Sequence, residues 1–247
     1  YPDKLPKTKQ LQHASRQLKT IEVNGTYYST FKPATFAKWA AETPDDFVFA
    51  LKAVRYATNR RILAEAGESI KRFLDSGVAE LGGKLGPILW QFAPTKKFDP
   101  ADFEGFLQLL PSQQEGIVLR HALEVRHDSF ASPEFIALAR KYGTTIVYAH
   151  HPTYPQIADV TGDFVYARLQ NGSEDNENCY PDEELDGWAE RSRQWMQGGQ
   201  PADLPYVDLS TSGSVSGKPR DVFVYFITAG KPRAPFGAMA LQSRVGK

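Results

Sequence analysis

The sequence predicts an α/β fold of the TIM-like (β/α)8-barrel kind, and three observations carry that prediction. Seven apolar runs rich in β-branched or aromatic residues recur along the 247 residues. Most are continuous rather than alternating, as strands covered on both faces are. Helical segments fall between most of them, and a repeated strand–helix order at this length points to a (β/α)8 barrel or a doubly wound sheet. The second of these commonly announces itself with G-x-G-x-x-G after an early strand, and no such motif occurs.

The elements follow in order. Residues 11–18 read as a helix on the spacing of Leu11, Ala14 and Leu18. "TIEV" (20–23) is the first strand. A helix leading directly into it implies a strand upstream of Tyr1, so a first barrel strand is expected to be missing from the stretch given. Thr35 to Ala41 forms a short helix that stops before Thr43-Pro44. "FVFAL" (47–51) is a strand. Glu68 to Ser76 is a helix with Ile70, Phe73 and Leu74 on one face. "PILWQF" (87–92) follows. Asp99-Pro100 and Ser132-Pro133 each set an N-capping residue before a proline at the first helical position, on either side of "HALEV" (121–125). "TIVYA" (145–149) and "FVYARL" (164–169) are strands. Asp182 to Met196 is a helix whose acidic start suits the positive end of its dipole. "VFVYFI" (222–227) is the last strand, and Ala234 to Val245 closes the chain as a helix. The expected organisation is a single domain over 1–247, with a flexible loop insertion at 197–220, rich in Gly, Ser and Pro.

Lys plus Arg and Asp plus Glu are 29 each, so net charge predicts neither a nucleic-acid nor a membrane partner. No apolar run approaches the ~20 residues that span a bilayer. The single Cys179 excludes an internal disulfide and fits a reducing cytoplasm. Neither a phosphate-binding loop nor a G-x-S-x-G elbow is present, and no cofactor is expected.

In a parallel barrel the C-terminal strand ends share one face, where functional groups gather. Those ends carry Glu22, Asn24 and Tyr27, then Lys52 and Arg55, then Gln91, then Glu124, Arg126 and His127. The later ends carry His150 and His151, Arg168 and Gln170, and Tyr225 and Thr228. Two carboxylates in different environments divide the work of acid and base, so Glu22 and Glu124 are the catalytic candidates. Lys52, Arg126 and Arg168 suit a phosphate or carboxylate. Asn24, Tyr28, Gln91, His127 and His150 complete the expected substrate-binding set. The bland alternative is a closed ion-pair network joining Glu22 to Lys52 and Glu124 to Arg126 or Arg168. Glu22, Glu124, His127, His150 and His151 also offer metal-ligand types, as a metal-dependent nuclease requires, but no H-x-x-x-H or H-E-x-x-H spacing supports a metal. Arg55, Arg60, Arg61, Lys71 and Arg72, near Tyr56, form a basic run that reads as a solvated helix face rather than a nucleic-acid surface.

Five segments resemble the domain of unknown function 72 family, the YecE-like proteins: "IEVNGTYYSTFKPATFAKWAAETPDDFVFALKAVR", "LGGKLGPILWQFAPTKKFDP", "LEVRHDSF", "DFVYARLQNG" and "VYFITAGKPRAPFGAMAL". The resemblance runs from Tyr1 to about Arg244 and implies a TIM-like barrel. Glu22, Asn24 and Tyr28 match its E-N-x-T-[FY]-Y segment, and Lys52 the Lys closing its next strand. Gln91 matches its L-x-Q, Glu124, Arg126 and His127 its E-x-R-H, and Tyr166, Arg168 and Gly172 its Y-x-R-x-H-G. The chain departs from the pattern at Asn59 (His), His150 (Asp), Gln170-Asn171 (His before Gly) and the run Tyr225 to Ala229 (Y-F-N-N-D), which includes Thr228. The resemblance fixes fold more firmly than function. It leaves an uncharacterised protein expected to take a small anionic ligand, with acid–base hydrolase or isomerase chemistry as the finer reading.

Overall fold

The computed structural model describes residues 1, 4–208, 217–227 and 232–246. These gather into two compact units, Tyr1–Gln91 with Ala101–His121, and Phe92–Pro100 with Ala122–Lys247. Each is described by itself.

The first unit opens with α1 (Lys7–Gln17), β1 (Thr20–Val23), the one-turn α2 (Gly25–Tyr28) and α3 (Pro33–Glu42). It continues through β2 (Val48–Lys52), the one-turn α4 (Arg55–Thr58), α5 (Gly67–Leu74) and β3 (Leu85–Gln91). It ends with α6 (Pro100–Gln108) and a hairpin of β4 (Gln113–Gln114) and β5 (Ile117–Val118). β1 lies parallel to β2 with Thr20 opposite Val48, and β2 lies parallel to β3 with Lys52 opposite Leu89. All seven residues of β3 are buried, which explains why its sequence runs apolar without alternation.

Aromatic residues dominate the packing. Trp90 is fully buried and meets Phe73 of α5 and Phe106 of α6 edge-on at 6.1 and 5.6 Å. Edge-to-face pairs of this kind add about 0.5–1.5 kcal/mol beyond the area they bury. Trp90 Nε1–H donates to His121 Nδ1 at 3.0 Å, so the His121 proton sits on Nε2, which faces Pro111 O at 2.8 Å. Burial holds the His121 imidazole below its usual pKa, and so neutral. Gly77 turns the chain after α5 with φ of 102°. Any side chain there would also strike the Pro33 backbone at 2.6 Å.

The second unit contains β6 (His121–Glu124, from Ala122 on), α7 (Pro133–Lys141), β7 (Thr145–Ile146) and β8 (Tyr148–His150). After these come β9 (Phe164–Leu169), α8 (Asp182–Met196), β10 (Asp221–Phe226) and α9 (Ala234–Val245). β6 pairs parallel with β7, and β9 lies parallel between β8 and β10. Val147 interrupts the expected 145–149 strand, although its N–H still donates to Leu123 O at 3.0 Å. Ser132 caps α7 as its sequence predicts, its hydroxyl accepting from Phe135 N–H at 3.3 Å. Phe92, Phe98, Phe130 and Phe135 pack together with ring centroids 5.0–6.4 Å apart. A larger core joins Trp188 and Trp195 of α8 to Tyr148, Leu169 and Phe226.

The expected loop at 197–220 falls partly outside the described residues. Within it, Leu204 is buried, and buried Asp159 accepts from the N–H groups of Val207 and Asp208 at 2.8 and 2.9 Å. Thr228 also lies outside the described residues. Parallel strands joined through helices make this an α/β fold of the TIM-barrel-like class. Among the described residues, no helix is long and apolar enough to cross a membrane.

Candidate functional site

In the second unit, the strand ends of β6 and β9 bring together three of the expected residues. Glu124 closes β6 and is fully buried. Its Oε1 accepts from Arg126 Nε and Nη2 at 3.0 and 2.9 Å, a two-pronged pair. Its Oε2 accepts from Arg168 Nη1 at 2.5 Å. Strand period places Glu124 and Arg126 on the same side, and β9, a strand of a separate sheet, supplies Arg168. Arg168, only 1% exposed, lies opposite Tyr225 of β10 and Ala149 of β8. Both oxygens of the carboxylate are therefore engaged by guanidinium groups. That suits a group that holds others in place; to move a proton, Glu124 would first have to release them.

Arg126 differs from Arg168 in reaching solvent, with 18% of its side chain exposed. Its guanidinium lies over the Tyr154 ring, 4.7 Å from the centroid. The other partner of that ring is His151, stacked at 3.7 Å with planes 9° apart. Burial first, and the Arg126 charge second, hold His151 below its usual pKa. With Nε and Nη2 on Glu124, Arg126 Nη1 makes no hydrogen bond among the described residues.

His127 turns its Nδ1 to Ser129, accepting from the backbone N–H at 3.1 Å with Ser129 Oγ at 2.9 Å. Ser129 Oγ in turn accepts from Phe98 N–H at 2.8 Å, which fixes the loop after β6. The His127 proton is left on Nε2. Gln170 follows the end of β9, two residues beyond Arg168. Its Nε2 is buried without a hydrogen-bond partner among the described residues.

His150 is placed otherwise. Nδ1 lies 3.4 Å from the Tyr180 hydroxyl, Nε2 3.1 Å from the Asn171 amide, and the Trp188 ring 5.0 Å away. Burial, then Arg191, holds it below its ordinary pKa. These contacts make it part of the packing around α8. Gly172, a family-pattern position, packs where any Cβ would collide with Cys179 Sγ.

The first unit holds the remaining candidates. Glu22 is half-buried on β1, and Gln91 ends β3 at 7% exposure. Lys52 ends β2, also 7% exposed, with Nζ 4.1 Å above the Tyr27 ring. Thr26 Oγ1 donates to Lys52 O at 2.7 Å and pins α2 to that strand end. Asn24 is exposed, its carbonyl accepting from Tyr27 N–H at 3.1 Å. Tyr28 is 63% exposed and meets Tyr27 edge-on. Asn59, standing where the family pattern has His, reaches the Tyr27 hydroxyl at 3.5 Å.

Among the described residues, no group of three or more His, Cys, Asp or Glu is placed to hold a metal ion. Tyr154 and Ser129 were not singled out in the sequence. Tyr154 acts from a loop and Ser129 from a single 3-10 turn, where no periodicity marks a residue.

Parallel strands with charged and polar ends, connected by helices, define an α/β protein of the TIM-barrel-like class. More narrowly, the chain belongs to the family described as "Protein of unknown function DUF72", which matches residues 1–247. Two solved structures of DUF72 family proteins share the fold. One, from Enterococcus faecalis V583, is 19% identical with a TM-score of 0.71, covering 97% of this chain and 94% of that one. The other, from Thermotoga maritima MSB8, is 22% identical with a TM-score of 0.69, covering 100% of this chain and 93% of that one. The "UPF0759 protein YunF" of Bacillus subtilis (strain 168) is 29% identical over 143 residues, 55% of this chain. The match spans about half of that protein's length, 49%.

Proposed function

We propose that the protein binds a small anionic ligand, bearing phosphate or carboxylate, at the C-terminal strand ends of the second unit. One observation carries the reading: Arg126 is held by Glu124 and Tyr154, while its Nη1 donors have no partner among the described residues. A fixed guanidinium binds an oxyanion without first losing side-chain freedom, and a charge-assisted hydrogen bond is roughly twice as strong as a neutral one. Gln170 Nε2, just past the end of β9 and buried without a hydrogen-bond partner among the described residues, supplies a second donor. His127 Nε2–H is a third on the segment that follows Arg126.

In this reading Glu124 is a positioning residue. It aligns both arginines and keeps two neighbouring cations, one of them buried, from repelling each other. Acid–base chemistry on the bound ligand is the finer form of the proposal and falls to two histidines of the second unit, His127 and His151. The test is a thermal-shift panel of phosphate, citrate, malonate and sugar phosphates on the wild-type chain and Arg126→Ala. The expected result is saturable stabilisation by at least one anion that disappears in the variant. Equal stabilisation of both proteins would show that Arg126 is only one corner of a structural ion-pair network.

A further inference from the structure

The basic run after β2 has a place of its own in the fold. α4, the loop beyond it and α5 enclose a cleft of about 470 Å³, lined among others by Tyr56, Arg60, Glu68, Ser69, Arg72 and Phe73. Every lining residue belongs to the first unit. The volume falls within the ~300–1,000 Å³ of ordinary small-molecule sites.

Its side chains divide by role. Arg60 is anchored: Nε donates to Tyr56 O at 3.1 Å and Nη2 to Ser69 Oγ at 3.0 Å. Its Nη1 makes no hydrogen bond among the described residues. Arg72 stands on α5, where Ile70 and Phe73 are buried and fix the helix's orientation. The Arg72 and Glu68 side chains are one helical turn apart, the spacing at which opposite charges commonly pair. They form no ion pair or hydrogen bond, with each other or with any other described residue. Tyr56 is 58% exposed at the rim, with Arg55 over one face of its ring at 5.2 Å and donating to its hydroxyl at 3.4 Å, which leaves the other face for a ligand. Two guanidinium groups, a carboxylate outside any ion pair and an exposed aromatic ring thus share one concavity.

We propose that this cleft is a second ligand site, separate from the anion site of the second unit, and that it takes a mononucleotide. Arg60 Nη1 and Arg72 bind the phosphate, as guanidinium forks do. Tyr56 stacks on the base, an interaction worth ~1–3 kcal/mol at single-stranded sites. Glu68 accepts from ribose hydroxyls or an exocyclic amine. The same carboxylate disfavours a second phosphate alongside, which selects a single nucleotide over a strand. This reading turns a run that looked like a solvated helix face into the wall of a pocket.

The test titrates the full chain with adenosine monophosphate, adenosine, inorganic phosphate and short oligoadenylates, by calorimetry and by amide chemical shifts. The nucleotide is expected to bind well above nucleoside or phosphate alone, with shifts clustered at residues 56–60 and 68–73. Arg72→Gln, a surface change that leaves the fold intact, is expected to weaken binding about tenfold. Tyr56→Leu is expected to weaken it severalfold while leaving phosphate affinity unchanged. Three results overturn the proposal: a nucleotide no tighter than phosphate, unchanged affinity in Arg72→Gln, or shifts confined to residues 122–208. Affinity that rises with each added nucleotide overturns it too, since that marks a polynucleotide surface.

Discussion

The two units treat neighbouring charges in opposite ways. In the second, Glu124 is sealed from solvent and shares its two oxygens between Arg126 and Arg168. In the first, Arg72 and Glu68 sit a helical turn apart across an open cleft and leave each other unpaired. A knot of titratable residues in a sequence therefore carries two meanings. Where the charges are buried they must satisfy one another, and only the leftover donors face a ligand. Where they are exposed, water satisfies them at little cost, and the ligand's work is to displace that water.

That contrast is sharpest for Glu124→Gln. The variant keeps the shape but leaves two guanidinium groups without their carboxylate, and breaking such a pair costs about 3–5 kcal/mol. Urea unfolding monitored by tryptophan fluorescence checks this. A loss below about 1 kcal/mol would place the triad among weakly coupled surface pairs. A smaller effect is expected at His121→Leu, which strands the buried Trp90 N–H and costs about 1–3 kcal/mol.

His121 also gives the fold an acid dependence. Because burial depresses its folded pKa, its contribution is present above the unfolded value near 6.5 and is lost as pH falls below it. Stability measured from pH 7.5 to 5 is expected to fall in the wild type, with the fall reduced in His121→Leu. Parallel curves would remove His121 as the cause. Smaller again is Ser132→Ala, which removes the α7 cap for about 1 kcal/mol. Smallest is Arg72→Gln, expected to leave the urea midpoint unchanged. A marked loss there would mean the cleft's charges are structural after all.

Much of the fold was legible because hydrophobic runs and capping signals are local. β1, β9, α8 and α9 fall on the residues expected for them. The break at Val147 was not legible, since continuous apolar sequence looks the same whether a strand runs straight or shifts partners. The Gln113–Val118 hairpin was missed because two-residue strands leave no period to read, although Glu115-Gly116 supplies its turn with φ of 50° and 81°. One-turn helices such as Gly25–Tyr28 escape for the same reason.

At the candidate site, the pairing of Glu124 with Arg126 and Arg168 was readable as one alternative from strand ends alone. What the sequence did not contain was the geometry that leaves Nη1 open. Tyr154 reaches Arg126 from the loop after β8, and nothing in the spacing of "HHPTY" announces that contact. His150 was expected to face a substrate; its half-buried ring has Tyr180, Asn171 and Trp188 as neighbours. Its environment was decided by α8, about thirty residues on, and no local pattern records that.

The central claim concerns one side-chain group, so the most direct measurement watches it. Guanidinium nitrogen–proton NMR signals of Arg126 and Arg168 are followed while inorganic phosphate is added to the wild-type chain, with Arg126→Lys assigning the peaks. A saturable shift of the Arg126 Nη signal, larger than that of Arg168, is the predicted result. Signals from both arginines that stay fixed through tens of millimolar phosphate, citrate and malonate would contradict it.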